Sequence, residues 1–258
     1  MPQSGLRSPS KNAASLTRLA RAAASGEDVP VIASVRVERE GELGAAVHSL
    51  GIARPTPTVV LIGGADDMEA MDVDQLRSVF EEVLVPVVEA NRAVVLDGGT
   101  DTGVMRLIGR ARANREATFA LVGVAVADLV SLDGEPAAAR LEPHHTHFVL
   151  VPGSTWGDES RWIARLGSTI AGDSRSVTVL MNGGEIAFED VAQSVEAGRP
   201  VVVLDGSGRA ANALATALRG GESDPRSSEL VRSGLVRSAH IDDRSALKRL
   251  VERLLSGS

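Results

Sequence analysis

Val94-Val95-Leu96-Asp97-Gly98-Gly99-Thr100-Asp101-Thr102-Gly103-Val104-Met105 sets a short apolar run against a glycine-rich loop and then against the opening of a helix. Ala93 to Leu96 is too short and too apolar for an amphipathic helix and predicts a buried strand. The loop Asp97 to Gly103 supplies the turn residues, and helical spacing then continues to about Asn114. A strand that turns straight into a helix is the building unit of a parallel sheet.

The same unit recurs on both sides. Upstream, Thr58 to Ile62 is an apolar strand with a Gly63-Gly64 turn, followed by a helix from about Val73 to Arg92 in which Pro86 predicts a kink. Before it, Val29 to Val37 alternates as a strand and Glu40 to Leu50 has helical spacing. Downstream come strand Ala120 to Val126, an irregular segment around Leu132 to Leu141, strand His147 to Val151, and a helix from Glu159 to Ala171 with Asp158 as its expected N-cap.

The last third repeats strand Ser176 to Met181, loop Asn182-Gly183-Gly184 and helix Ala187 to Ala197. Strand Pro200 to Leu204, loop Asp205 to Arg209 and helix Ala210 to Leu218 follow, and Val236 to His240 and Ser245 to Leu255 close the chain. Short apolar strands alternating with helices require right-handed crossovers. The expectation is a single Rossmann-like α/β domain over 29–258, a mostly parallel sheet with helices on both faces. Residues 1–28, rich in Ser, Ala and Arg, read as a flexible tail in which Ala14 to Ala24 has helix-forming capacity.

Composition agrees. Hydrophobic residues make up 43% of 258 and aromatics only 2%, with no Tyr, so the core falls to Val, Leu, Ile and Ala, as in a sheet covered on both faces. With 34 acidic against 27 basic residues, and a formal charge of -7, the chain lacks the basic face that duplex nucleic acid demands. No apolar run reaches the roughly 18 residues of a membrane span. A chain with no Cys excludes thiolate metal sites and cysteine nucleophiles, and a cytoplasmic location is expected.

In such a sheet, ligands bind beyond the carboxyl ends of the strands, where helix N-termini offer unpaired N–H groups to anions. Four loops fall there: Gly63-Gly64, Gly98-Gly99 with Thr100, Thr102 and Gly103, Gly183-Gly184, and Gly206-Ser207-Gly208-Arg209. Each glycine can serve a ligand or only a tight turn, and the recurrence of the loops on one edge favours the ligand. None is a Walker A loop and none has the full Gly-x-Gly-x-x-Gly spacing, which argues against a conventional kinase or dehydrogenase. Thr100 and Thr102 either cap the helix or bond a ligand. Asp97 and Asp205 either orient a ribose hydroxyl or cap their loops. Arg209 sits at a predicted helix N-terminus, an unfavourable end for a cation unless an anion compensates it.

Glu142, His144, His145 and His147 carry donors of the metal-binding type, but strand alternation would send His145 and His147 to one face and His144 to the other. Hydrogen bonding is favoured over a metal site, and no metal or other cofactor is expected. Glu185, Glu189 and Asp190 follow Gly183-Gly184. Under an enzymatic alternative, Glu189 or Asp190 would face a ribosyl bond, as paired carboxylates do in glycoside hydrolysis.

Leu61-Ile62-Gly63-Gly64-Ala65, the Val94 to Met105 run, His145-Thr146-His147-Phe148-Val149-Leu150-Val151, and Pro200-Val201-Val202-Val203-Leu204-Asp205-Gly206-Ser207-Gly208-Arg209-Ala210-Ala211 together closely resemble the SLOG domain of the cytoplasmic N-terminal region of TRPM cation channels. The correspondence spans about Val29 to Leu218 and keeps motif order. It implies a Rossmann-like fold, a free-standing prokaryotic-type member, and recognition of nucleotide-derived ligands such as ADP-ribose by the Gly183-Gly184 turn and the Gly206 to Arg209 loop. Resemblance to soluble members of the superfamily also implies a homo-oligomer. The related LOG-type phosphoribohydrolases carry Gly-Gly-x-Gly-Thr-x-x-Glu. Here Gly183-Gly184 match, but Ile186 and Ala187 stand at the Gly-Thr positions and Asp190 at the Glu, with Arg161 or Arg165 as candidates for that family's arginine. The reading therefore favours a ligand sensor over an enzyme, with a scaffold whose loops are only turns as a further alternative.

Overall fold

A computed structural model of the chain describes residues 15–19, 32–64, 70–131 and 139–257. Its strands are β1 (Ser15–Leu19), β2 (Ile32–Arg36), β3 (Thr58–Gly63), β4 (Val94–Asp97), β5 (Leu121–Val126), β6 (Val130–Ser131), β7 (Ala139–Arg140), β8 (His147–Val151), β9 (Ser176–Met181), β10 (Val201–Asp205) and β11 (Val236–His240). The helices are α1 (Leu43–Ser49), α2 (Ala70–Val79), α3 (Val85–Ala90), α4 (Gly103–Asn114), α5 (Ser160–Ala171), α6 (Glu185–Glu196), α7 (Arg209–Leu218), α8 (Pro225–Arg232) and α9 (Arg244–Ser256).

Nine strands form one sheet in the order β1-β2-β8-β5-β4-β3-β9-β10-β11, and β6 pairs only with β7. All neighbours in the large sheet are parallel except β1 and β2. From β3 the chain winds outward through β4, β5 and β8. From β9 it winds the opposite way through β10 and β11. The two halves meet where β3 pairs with β9, from Thr58 opposite Ser176 to Gly63 opposite Met181. A crevice opens at such a reversal because the loops on either side depart in opposite directions.

Strand alternation divides the core into two layers. Val201 and Val203 join one face, under α1, α5, α6, α7 and α8, while Val202 and Leu204 join the other, under α2, α3, α4 and α9. Each such buried side chain contributes about 1.5–3 kcal/mol relative to exposure, which lets a core almost without aromatics hold the sheet.

Several local expectations need correction. Ser15–Leu19, within the stretch assigned to the tail, is an antiparallel edge strand, because the open backbone edge of β2 offers hydrogen bonds that local propensity does not reveal. The helix before Pro86 passes through a π-turn at Phe80–Leu84, which loosens the ladder ahead of a residue with no N–H to give. Asp158 does not cap α5; Glu159 holds the N-cap position without a side-chain bond, and Asp158 Oδ2 accepts from the Ser154 and Thr155 N–H groups at 2.8 and 3.0 Å. Of the irregular segment expected around Leu132 to Leu141, 132–138 lie outside the described residues, and Ala139–Arg140 form β7. Helix α8, not foreseen, opens on Asp224-Pro225, with Asp224 accepting from the Arg226 N–H at 2.9 Å.

Candidate functional site

The β3/β9 junction brings three helix N-termini together. Gly64 O accepts from Val104 N of α4 at 3.4 Å, Gly183 O from Ala210 N of α7 at 3.1 Å, and Asn182 O from Ala211 N at 2.9 Å. The glycine pairs named from sequence are thereby interlocked. Their individual duties differ. A β-carbon at Gly63 would lie 2.5 Å from Val104 Cγ1 and 2.7 Å from Met181 O, so this glycine lets α4 close onto the sheet. Gly99, with φ +69°, has Gly123 Cα 2.8 Å from the position of its missing β-carbon and Phe148 close by. Gly98 is open by comparison, its nearest such neighbour being Met105 Sδ at 3.9 Å. Gly103 begins α4.

Thr102 occupies the N-cap of α4 but makes no side-chain cap; its hydroxyl lies 3.3 Å from that of Thr100. Gly184 and Gly208, the N-caps of α6 and α7, have no side chain to offer. By contrast, α8 and α9 are capped by Asp224 and Asp243. At α7 the first donors are taken by the Asn182 and Gly183 carbonyls. At α4 one first-turn donor, Val104 N, is taken by Gly64 O, so the open positive ends at the junction are that of α6 and the remainder of the α4 first turn.

Arg209 begins α7 at φ +36°, a left-handed conformation that is unfavourable for a residue with a β-carbon. Its side chain is exposed and extends over α6, with Nη2 3.1 Å from where a β-carbon on Gly184 would stand. The neighbouring acid, Glu185, is bound by Arg226 at 2.8 Å, and Asp205 is paired with Arg219. Arg209 has no hydrogen bond or ion pair among the described residues. Ser207, by contrast, is spent internally, accepting from Asn182 N at 2.8 Å and donating to Leu204 O at 2.6 Å. Gly206 turns beneath His240 and Ile241.

Asn182 was named in the sequence only as part of a loop, and the structure gives it a central place. It is 3% exposed, has φ +56°, and lies between Gly64 and Gly208, with Nδ2 3.2 Å from the first glycine's β-carbon position and Oδ1 3.2 Å from the second's. Oδ1 is buried without a hydrogen-bond partner. Its signal in the sequence was that Asn tolerates the left-handed turn better than any other residue with a side chain of its size.

Behind the Gly98 to Thr102 loop is a buried ionic cluster. His145 Nε2 lies 2.8 Å from Asp97 Oδ1, and Nδ1 lies 2.8 Å from Glu142 Oε2; Asp97 Oδ1 also accepts from Gly99 N at 2.8 Å. Burial alone would lower the His145 pKa, but the Asp97 and Glu142 carboxylates outweigh it and raise the value to about 9. Burial would raise Glu142, yet His145 and His144 hold it below the ordinary carboxylate range. His144 and His145 precede β8 and do not alternate within it. His145 is buried in the cluster, half-exposed His144 contacts Glu142 Oε1 at 2.6 Å, and His147 starts the strand with Nδ1 2.7 Å from Thr146 Oγ1. Among the described residues, no group of three or more His, Asp or Glu is arranged to hold a metal ion.

Glu189 and Asp190 do not join the glycine loops. Glu189 lines a separate groove of about 530 Å³ with Asp158, Arg161 and Gln193, between the β8-to-α5 loop and α6. Asp190 turns toward the start of α5. Burial raises its pKa to about 7, and the Glu159 and Glu189 carboxylates push it the same way.

Fold and site together define a Rossmann-like α/β domain with uncapped helix ends at its topological switch point. The chain matches the family described as "SLOG in TRPM, prokaryote" over residues 56–248. It belongs to that family. It is 28% identical over 201 residues to a transient receptor potential cation channel subfamily M member-like 2 of Nematostella vectensis, covering 62% of this chain and 13% of the channel. With the subfamily M member 2 of Rattus norvegicus it shares 26% identity over 204 residues, covering 64% and 13%. The chain thus spans a small fraction of the length of these relatives. Among solved structures, the X-ray structure of TM1055, a structural genomics target, superposes with a TM-score of 0.53 at 19% identity, covering 77% of this chain and 99% of that one, a likeness of fold. No helix among the described residues is long and apolar enough to cross a membrane.

Proposed function

We propose that this chain is a ligand-sensing domain whose crevice takes a phosphate-bearing, nucleotide-derived molecule of the ADP-ribose type. The observation that carries the reading is Arg209: an unpaired guanidinium, in an unfavourable backbone conformation, over the uncapped N-terminus of α6. Both groups raise the local positive potential, and an anion at Gly183-Gly184 relieves both at once. Strain of this kind persists where a site requires it. A second anionic group fits the open end of α4, beside Gly98, Thr100 and Thr102. The nucleotide character of the ligand rests on the switch-point geometry and on the resemblance to TRPM SLOG domains. Isothermal calorimetry with ADP-ribose, NAD and AMP tests the reading. Binding is expected, and affinity no tighter than about millimolar, roughly -4 kcal/mol, for all three would remove it.

One observation favours a second reading, a nucleoside monophosphate N-glycosidase. Asp190, with its pKa near 7, stands beside Glu189 and the groove that Arg161 lines, a suitable value for an acid-base group at neutral pH. Against it, the chain departs from the phosphoribohydrolase motif at the positions that distinguish the enzymes, with Ile186 and Ala187 at Gly-Thr and Asp190 at the Glu. Release of base from AMP, compared with an Asp190→Asn, Glu189→Gln double variant, separates the two readings.

A further inference from the structure

Helix α6 carries two rows along one side. Glu185, Glu189 and Glu196 recur at the spacing that brings residues onto one face of a helix, and Phe188, Ala192 and Val195 form an apolar row beside them. Both rows line a groove of about 710 Å³ between α6 and α8, where Leu230 of α8 completes the apolar floor. Phe188 and Leu230 are buried, whereas Ala192 and Val195 are only partly so.

Arg226 closes one end. Its guanidinium lies 4.1 Å from the centre of the Phe188 ring and is held there by Glu185 and Asp224, each at 2.8 Å. Ala192, Val195 and Glu196 follow further along α6. The 12 residues of this helix extend about 18 Å, room for about three turns of a second helix laid alongside.

The charge around the floor is one-sided. Arg226 is spent on Asp224 and Glu185, and Arg232 Nε donates to Ser228 O at 3.2 Å. Glu189 accepts from the neutral Gln193 side chain at 2.8 Å, and Glu189, Glu196 and Glu229 have no ion pair among the described residues. An apolar segment with neutral or acidic flanks would strip water from these carboxylates and leave them unpaired, a cost that opposes docking. A segment with Lys or Arg beside its apolar row pairs with them, and the net charge of -7 favours its approach.

The geometry points to a docking groove for a basic amphipathic helix of a partner protein, its apolar side chains on Ala192, Val195 and Leu230 and its Lys or Arg flank against Glu189, Glu196 and Glu229. The N-terminus of α6 opens on the crevice, yet the inference does not depend on what the crevice binds.

The test uses the intact chain and fluorescein-labelled synthetic helices of roughly 18 residues, about five turns, read by anisotropy. One is built of Leu and Lys with a single apolar stripe, one has the same composition scrambled to break the stripe, and one carries Glu in place of Lys. The striped basic peptide is expected to bind one per chain with a dissociation constant of about 10 μM or tighter, and the other two at least about tenfold more weakly. Glu196→Lys combined with Glu229→Lys should lower that affinity by about tenfold or more, and Ala192→Gln, which places an amide on the apolar floor, should do the same. Glu116→Lys combined with Glu252→Lys makes the same change of net charge on the layer of α4 and α9 and should leave affinity within about twofold. All these variants should melt within a few degrees of wild type. Equal binding of the scrambled peptide, or an equal loss in the Glu116, Glu252 variant, reduces the effect to net charge and overturns the groove. No binding of the striped peptide overturns it as well. Loss of self-association in sedimentation on reversing Glu196 and Glu229, with peptide affinity unchanged, assigns the groove to a second copy of the chain instead.

Discussion

His145 Nε2 and Asp97 Oδ1 are 2.8 Å apart, both side chains wholly removed from solvent, although 48 residues separate them in the chain. Through this contact the end of β4 is locked to the segment before β8. The same Asp97 oxygen holds Gly99 N, so the cluster fixes the first turn of the loop that faces the crevice. Further along, Glu142 N bonds Gly99 O at 2.9 Å and Asp101 N bonds Arg140 O at 2.8 Å, which fastens the loop from its other side.

Stability should therefore fall on the alkaline side. The His145 pKa is raised from an unfolded value near 6.5 to about 9, so the protonated form is favoured by folding. Its stabilisation is fully present below 6.5, shrinks as pH rises between 6.5 and 9, and is gone above 9. Thermal melts across that window should show a decline in wild type and a markedly flatter profile in His145→Gln. A flat wild-type profile would mean that the imidazole is neutral in the fold.

Gly63→Ala should cost stability at the heart of the sheet. The added methyl would meet Val104 Cγ1 and the Met181 carbonyl at distances that no β-carbon tolerates, and the carbonyl belongs to a paired strand that cannot retreat. Overpacking of this kind costs about 1–3 kcal/mol, visible as a lowered denaturation midpoint. Gly98→Ala, with its nearest neighbour at 3.9 Å, should leave the midpoint almost unchanged and so shows which of the two glycines serves packing.

That difference between two glycines is also where the sequence stopped being informative. The strand-loop-helix rhythm was legible because apolar runs and glycine turns act locally, and β3, β4, β5, β8, β9, β10 and β11 all fall close to where those patterns lie. Ser15–Leu19 was not, since an edge strand is decided by the partner that offers it hydrogen bonds. Helix α8 was missed because Arg226, Ser227, Ser228 and Glu229 show little apolar periodicity, leaving Asp224-Pro225 as the sole start signal. At the site, the loops were visible but not their division of labour. The buried carboxamide of Asn182, the internal use of Ser207 and the pairing of His145 with Asp97 all depend on contacts between distant segments.

Asn182→Gly offers a test of that division. The native φ of +56° suits glycine, and the substitution removes a buried acceptor that has no partner. The melting temperature of the ligand-free protein should be unchanged or higher, whereas Asn182→Val, branched at the β-carbon in a left-handed turn, should lose about 1–3 kcal/mol. A large loss in the glycine variant would show that the amide supports the crevice through bonds of its own.

Arg209 is the residue on which the proposed site most depends. Its guanidinium opposes the α7 dipole, adds to the positive end of α6, and finds Asp205 already held by Arg219 and Asp97 already held by His145. Among the described residues its charge meets only a through-space attraction from exposed Glu185, which Arg226 already binds, so Arg209→Ala should leave the ligand-free melting temperature nearly unchanged. Arg209→Gly should raise it slightly, because glycine accepts φ +36° without penalty. Ligand affinity should move the opposite way. Loss of a charge-assisted bond costs about 1.5–3 kcal/mol, a fall of roughly 10- to 150-fold for ADP-ribose in either variant, and the salt dependence of binding should weaken with it. Arg209→Lys should recover only part of the affinity, since an ammonium keeps the charge without the planar fork that grips two phosphate oxygens. Calorimetry of the three variants beside their melting curves decides the matter. Unchanged affinity would take Arg209 out of the site, and a large drop in ligand-free stability would reassign it to the scaffold.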